Sequence, residues 1–176
     1  NTMEENNQPV TTLHHLLDDD VSKFTSAEVQ LKNSLPEWIS KADSLKLKTV
    51  LQKYLDFVQK HIQLLEDFSE EENIRSLSLT NRVMKAFIEE TNEKLSNCTD
   101  AEIEDACLLA CVQAINHFKI SIYGTAAAFA HTLGNEKYSA VFHEAEVNEK
   151  QIDDRLSQLA VFEINNRAKA PIVLSN

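Results

Sequence analysis

Apolar residues recur at three- and four-residue intervals along most of the chain, the spacing of amphipathic helices rather than strands. Leu13, Leu16, Leu17, Val21, Phe24, Ala27, Leu31 and Leu35 mark a first helix running to about Lys41. Pro36 lies inside it and is expected to bend it or mark a break. A second stripe, Leu47, Val50, Leu51, Tyr54, Val58, Ile62, Leu65 and Phe68, begins at Asp43 or Ser44 and ends near Ser69, in the acidic run Glu70-Glu71-Glu72. Residues 73–80 read as a connector. Val83, Met84, Phe87, Ile88, Thr91 and Leu95 predict a shorter helix. From Asp105 to Gly134 the pattern predicts one unbroken helix of about thirty residues, roughly 45 Å long at 1.5 Å per residue. Thr99 or Asp100 caps it, Glu102 and Glu104 favour its first turn, and Gly134 closes it. A last helix spans about Asn135 to Ala168 through Val141, Phe142, Ala145, Ile152, Leu156, Leu159, Phe162 and Ile164.

Four long helices with a fifth, shorter one between the second and third predict an all-α fold. Short loops join the first helix to the second and the third to the fourth, while the second and third are far apart in sequence. That is the connectivity of a ferritin-like four-helix bundle with a long crossover; another up-down bundle with an extra helix is the alternative. The bundle is expected over residues 13–168, with flexible tails over 1–12 and 169–176.

Composition narrows the classes. Two glycines and three prolines in 176 residues suit helices better than turn-rich folds. A formal charge of −11 repels phosphate backbones and anionic lipid, and there is no Lys/Arg cluster, so neither nucleic acid nor membrane is an expected partner. The same acidity serves solubility. No apolar run approaches the roughly twenty residues of a membrane span, and the polar start Asn1–Gln8 lacks the form of a signal peptide. Cys98, Cys107 and Cys111 have no framework spacing and suit a reducing, cytoplasmic setting, where small buried hydrophobes are their expected role.

The candidate chemistry lies on the third long helix. Gln113, Asn116, His117, Lys119 and Tyr123 sit among Leu109, Ala114, Ile115, Ile120 and Ile122, and polar groups midway along such a rod are where bundles build buried sites. A di-iron centre of that kind draws on glutamates and on Glu-x-x-His, whose three-residue step puts both ligands on one face. The residues three before His14, His15, His61, His117, His131 and His143 are Thr11, Thr12, Val58, Ala114, Ala128 and Ser139, so Glu-x-x-His is absent. No phosphate-binding Gly-rich loop, nucleophile elbow or catalytic triad is present either.

Four phrases, SAEVQLKNSLPEW (26–38), VMKAFIEE (83–90), DACLLACVQAINHFKISIYGT (105–125) and NEKQIDDRLSQLA (148–160), together resemble the YciE/YciF family of bacterial ferritin-like stress proteins. The third is the most specific. The resemblance implies a ferritin-like bundle, commonly a homodimer, with a core like a carboxylate di-metal site. By that comparison the acids of the third long helix are replaced by Asn116 and Lys119, and the first of a pair on the last helix by Asn148. Glu28, Glu149, Asp153 and, less securely, Asp56 remain as candidate metal ligands.

Lys119 within about 4 Å of a dication would be repelled by several kcal/mol at an effective dielectric of about 20. The expectation is therefore an ammonium–carboxylate and amide network of Asn116, His117, Lys119 and Asn148 where relatives would hold metal, with no catalytic residue and no cofactor; Lys119 facing solvent is the alternative. Three functions follow: a non-enzymatic, stress-associated or structural protein; an iron-binding storage or oxidase-type protein using Glu28, Asp56, Glu149, Asp153 and possibly His61; or a partner-binding module using an apolar strip near Trp38 or on the crossover helix. His143, Glu146 and Glu149 are a further candidate metal clip at the surface.

Overall fold

The structure, a computed structural model, describes residues 9–75 and 80–169. Four long helices carry it: α1 (Leu13–Lys41), α2 (Leu45–Glu71), α4 (Ala101–Thr132) and α5 (Glu136–Leu159), with the shorter α3 (Arg82–Ser96) in the crossover. A π-helical turn (Ala160–Ile164) and a one-turn α6 (Asn165–Lys169) follow α5. The described residues contain no strand. The predicted tails lie mostly outside the described residues, although Lys169 is helical.

Each of the five main helices begins at a side-chain cap. Thr12, Ser44, Asn81, Asp100 and Asn135 accept from the backbone N–H three residues on, at 3.0, 3.2, 2.9, 2.9 and 3.1 Å. Each satisfies one of the orphan donors of a first turn. Asp100 rather than Thr99, and Ser44 rather than Asp43, do the capping. Gly134, at φ +74°, supplies the left-handed residue that closes α4. Pro36 leaves α1 assigned as one helix through Lys41; it lies on the exposed side, where the carbonyl that loses its N–H partner can face water.

α1 packs on α2 and α4, and α5 on α2 and α4, so the helices form a square with α1 and α5 on one diagonal. The Asp105 carboxylate, near the start of α4, accepts from the backbone N–H groups of Asp43 and Ser44 at 2.8 and 2.9 Å. This ties the start of α4 to the α1–α2 loop. α4 therefore starts at the end where α2 starts, and the two run parallel. A parallel pair cannot be joined by a short loop, which is why the chain crosses the bundle's length through α3, packed on α1 and α4. This is the ferritin-like arrangement.

The core has two apolar halves with a polar layer between them. At the α1–α2 loop end, Leu35, Trp38, Leu47, Leu51, Leu108, Val112 and Leu156 are buried; at the other, Val21, Leu65, Phe68, Tyr138 and Phe142. Trp38 is fully buried and donates Nε1–H to Asn92 Oδ1 at 2.8 Å, so it belongs to the core and offers no exposed docking strip. At Gly124 a Cβ would collide with Glu146 Oε2; the missing side chain lets Glu146 of α5 lie across α4.

Two expectations need correction. The last helix does not run uniformly to Ala168: the π turn delays the register, so Ile164 is buried while Phe162, expected on the apolar stripe, is 80% exposed. And α4 is long and apolar enough to cross a membrane by length and composition, with an 18-residue window of mean hydropathy 1.2. In the bundle its charged Lys119 and amide Asn116 are buried against three other helices.

Candidate functional site: a buried ammonium between two carboxylates

The polar layer draws on all four long helices. α4 contributes Asn116, Lys119 and Tyr123, three and then four residues apart, the step that keeps side chains on one helix face. α1 contributes Glu28, α2 contributes Tyr54 and His61 seven residues apart, and α5 contributes Asn148 and Glu149. Glu28, Tyr54, His61, Asn116, Lys119, Tyr123 and Glu149 are at most 1% exposed.

Lys119 is the hub. Its Nζ lies 2.8 Å from Glu28 Oε1 and 2.6 Å from Glu149 Oε1, and 4.5 Å from the centroid of the Tyr54 ring. The ammonium thus bridges α1, α4 and α5 and sits over an aromatic face of α2, a cation–π position. Both carboxylate contacts are close charge contacts rather than aligned hydrogen bonds. The second oxygens are better directed. Glu149 Oε2 accepts from Tyr54 O–H and Asn116 Nδ2, both at 2.7 Å, and Glu28 Oε2 accepts from Tyr123 O–H at 2.9 Å. Asn116 Nδ2 also donates to the Glu149 carbonyl at 2.9 Å.

His61 is the second basic group of the layer. Its Nε2 pairs with Asn148 Oδ1 at 3.1 Å, and its Nδ1 lies 3.4 Å from Glu149 Oε1 and 3.6 Å from Glu28 Oε2. Because an amide oxygen only accepts, Nε2 carries a proton in that pair. Burial pushes the imidazole pKa down, but Glu149 and Glu28 outweigh it and hold it above the ordinary value of 6.5. Burial likewise opposes the Lys119 charge, and Glu149 and then Glu28 overcome it, raising its pKa. For Glu149 burial acts upward, yet Lys119 and His61 hold the carboxyl well below the usual range. Burial, reinforced by both carboxylates, raises the Tyr54 and Tyr123 hydroxyls, which stay protonated as donors. With His61 protonated the layer holds two anions and two cations, and its charge closes without any added ion.

These residues do not fit a paired metal centre. Ligand atoms of Glu28, His61 and Glu149 do lie within 4.8 Å of one another. A first-row dication would sit about 2.0–2.2 Å from carboxylate oxygens, and the ammonium already stands 2.6–2.8 Å from both. The two cations would claim the same point. At 4 Å apart they would still repel by about 8 kcal/mol at an effective dielectric of 20.

Of the eight residues assigned to the candidate metal site and the network replacing it, Glu28, Asn116, Lys119, Asn148 and Glu149 come together and three do not. Asp56 is exposed and is paired with Gln52 of its own helix at 3.4 Å; two residues on from Tyr54, it points away from the core. His117, expected among the core groups, is exposed at 65% and bonds Asp153 Oδ1 at 2.8 Å. Asp153 lies on the α4–α5 flank, where Gln113 also reaches it at 3.4 Å. The surface clip fails as well: His143 lies 3.6 Å from Glu146, but Glu149 is committed to the interior. Tyr54, Tyr123 and His61 complete the layer. Tyr123 stands among the polar groups of the third long helix and His61 among the possible ligands, whereas Tyr54 reads as a stripe residue; the signal that marks it is its phase, since Tyr54 and His61 repeat at seven residues on the buried face of α2.

Four helices, one long crossover and a polar layer fed by every helix define a protein of the ferritin-like bundle class. The chain belongs to the family described as "Domain of unknown function (DUF892)", whose model matches residues 12–169. It is 31% identical over 156 residues to "Protein YciF" of Escherichia coli strain K12, covering 88% of this chain and 92% of that protein. The crystal structure of the E. coli stress protein YciF matches with a TM-score of 0.81 at 29% identity, over 92% of this chain and 100% of that one. YcfI, described as a putative structural protein from Rhodopseudomonas palustris, matches with a TM-score of 0.81 at 25% identity, over 86% of this chain and 96% of that one. The YciE/YciF resemblance is thus a family membership.

Replacing Lys119 with methionine leaves two buried carboxylates without their ammonium. Breaking a buried pair in this way costs about 3–5 kcal/mol, and urea unfolding near neutral pH should show a loss of that size; Lys119→Met combined with Glu149→Gln should recover part of it. Stability should also depend on pH in a defined way. His61, with its native pKa raised, contributes fully below about pH 6.5 and loses that contribution as pH rises through its native value. Glu149, with its native pKa depressed, contributes above about pH 4.3 and loses as pH falls through its native value. The urea midpoint should therefore peak between about pH 5 and 6.5, and the His61 imidazole should titrate above 6.5 by NMR, an elevation reduced in Glu149→Gln.

Proposed function

We propose that this protein is a non-catalytic ferritin-like bundle in which a fixed internal salt bridge stands where metal-binding relatives of the fold keep a di-metal centre, and that its role is structural or stress-associated. The observation that carries the reading is the Lys119 ammonium lodged between Glu28 and Glu149. A group that must bind, release or oxidise an ion needs an open coordination position, and this interior offers none. The stress and structural descriptions belong to the relatives from E. coli and R. palustris; they support the reading by kinship, because a fold does not by itself carry a function.

A second reading rests on the close approach of Glu28, His61 and Glu149: a reduced site that takes iron once Lys119 swings aside. It asks Lys119 to leave two carboxylates and an aromatic face for water, through a closed core.

We also propose a homodimer, as the family resemblance implies. Leu45, Val161 and Phe162, 77%, 64% and 80% exposed, support it by leaving an apolar patch at the α2 start and the π turn, which burial against a second copy would remove from water.

Metal analysis of protein purified without chelators should find no iron stoichiometric with the chain, and the protein should not speed oxidation of ferrous iron by peroxide. About two irons per chain, retained in a His14→Ala variant that removes the imidazole of the surface cluster with Asp18 and Glu72, would refute the reading. Sedimentation velocity at micromolar concentration should give a dimer, and Phe162→Glu should shift it to monomer; a monomer in the unsubstituted chain removes the dimer proposal.

A further inference from the structure

Away from the polar layer, one other group of three such side chains among the described residues brings nitrogen and oxygen ligand atoms together. His14 and Asp18 lie four residues apart on one face of α1, near its start, and Glu72 caps the end of α2 beside them. His14 Nε2 is 3.0 Å from Glu72 Oε2 and His14 Nδ1 is 3.8 Å from Asp18 Oδ2. One ligand atom from each of the three falls within 4.8 Å of the others.

The geometry points to a zinc-type divalent cation site formed by His14, Asp18 and Glu72, which would clip the start of α1 to the end of α2.

Three features support it. Asp18 is largely buried, 19% exposed, and its Oδ1 is shielded from water with no hydrogen-bond partner. A buried carboxylate oxygen without a donor is costly; the other oxygen, Oδ2, faces the cluster 3.8 Å from His14 Nδ1, and a cation bound there would neutralise the carboxylate. The charged groups that face Asp18 are His14, Glu72 and, further off, His15, so no ammonium fills this cluster as Lys119 fills the interior. Third, the ligand atoms stand near the spacing that zinc needs. His14 is 58% exposed, and tetrahedral zinc with bonds of about 2.0–2.2 Å asks its ligand atoms to approach to roughly 3.4 Å, a distance the His14–Glu72 contact already meets. One imidazole and two carboxylates leave a fourth position for water, the coordination of an open zinc site. Mixed nitrogen and oxygen ligands also favour a transition-series dication over magnesium, which keeps its own waters and demands an octahedron. The other exposed His–Glu pairs, His131 with Glu136 and His143 with Glu146, each lack a third ligand.

The test is calorimetric titration of the full chain with zinc chloride at about pH 8, where imidazole is unprotonated, with magnesium chloride as the comparison. The expected result is one saturable zinc per chain, a raised melting temperature and no binding of magnesium. Loss of an outer partner of a metal ligand weakens binding about 10–100-fold, so removing a ligand itself should cost at least about tenfold. His14→Ala and Glu72→Gln should each show that loss, while His143→Ala binds zinc as the unsubstituted chain does. Both variants alter rim side chains, and circular dichroism should find their helix content unchanged. Absence of saturable zinc binding overturns the proposal, as does either variant binding zinc as tightly as the unsubstituted chain.

Discussion

The contact of Lys119 Nζ with Glu28 and Glu149 sets the terms for the rest of the interior. Three full charges at zero exposure are tolerable only if each is met by an opposite charge or a donor. The surrounding side chains do this. Tyr54, Asn116 and Tyr123 donate to the outer carboxylate oxygens, His61 approaches Glu149 Oε1 and Glu28 Oε2, and Asn148 holds the far nitrogen of His61. Remove the ammonium and the remaining donors face two anions that repel one another. The hydrogen bonds follow from the charge arrangement, and the arrangement ties all four long helices together at mid-height.

Such a layer adds specificity of register more clearly than net stability. Each long helix supplies a group whose partner lies on another helix, so sliding any helix by one turn, 5.4 Å, would strand a buried charge. The apolar halves on either side supply the burial free energy but would tolerate such a slip better. The ends are fixed separately: Asp105 holds the α1–α2 loop by two backbone N–H groups, and Asn135 and Gly134 define the α4–α5 turn. One consequence is chemical. A centre neutralised by fixed side-chain cations has its charge closed by covalent attachment, whereas one neutralised by metal depends on supply.

Much of this was legible in the chain and some was not, for reasons visible at single residues. Lys119 and Asn116, three apart on an apolar helix, could be placed on one buried face from spacing alone. His117 could not be judged by its neighbour: one residue turns the side chain by about 100°, which carries it from the core to the surface beside Asp153. Asp153 shares a helix face with Glu149, yet four residues overshoot a turn by about 40°, enough to move the carboxylate from the layer to the flank. Asp56 stands two residues on from Tyr54, a turn of about 200°, which carries it to the far side of α2. Phe162 was assigned to the core because a uniform 3.6-residue repeat was carried through the π turn, where one extra residue enters the register.

The residue pattern by itself determined the main helices, the crossover and the kinship, because those depend on local periodicity and on chain connectivity. It also determined that the middle of α4 is short of acids and carries an amine. Which partners meet that amine was decided only in three dimensions. Glu28, His61 and Glu149 are separated by 33 and 88 positions along the chain, and only the square packing of four helices brings them around one nitrogen. Periodicity fixes the angle of a side chain about its own axis; the height and rotation of each helix against the next are fixed by packing.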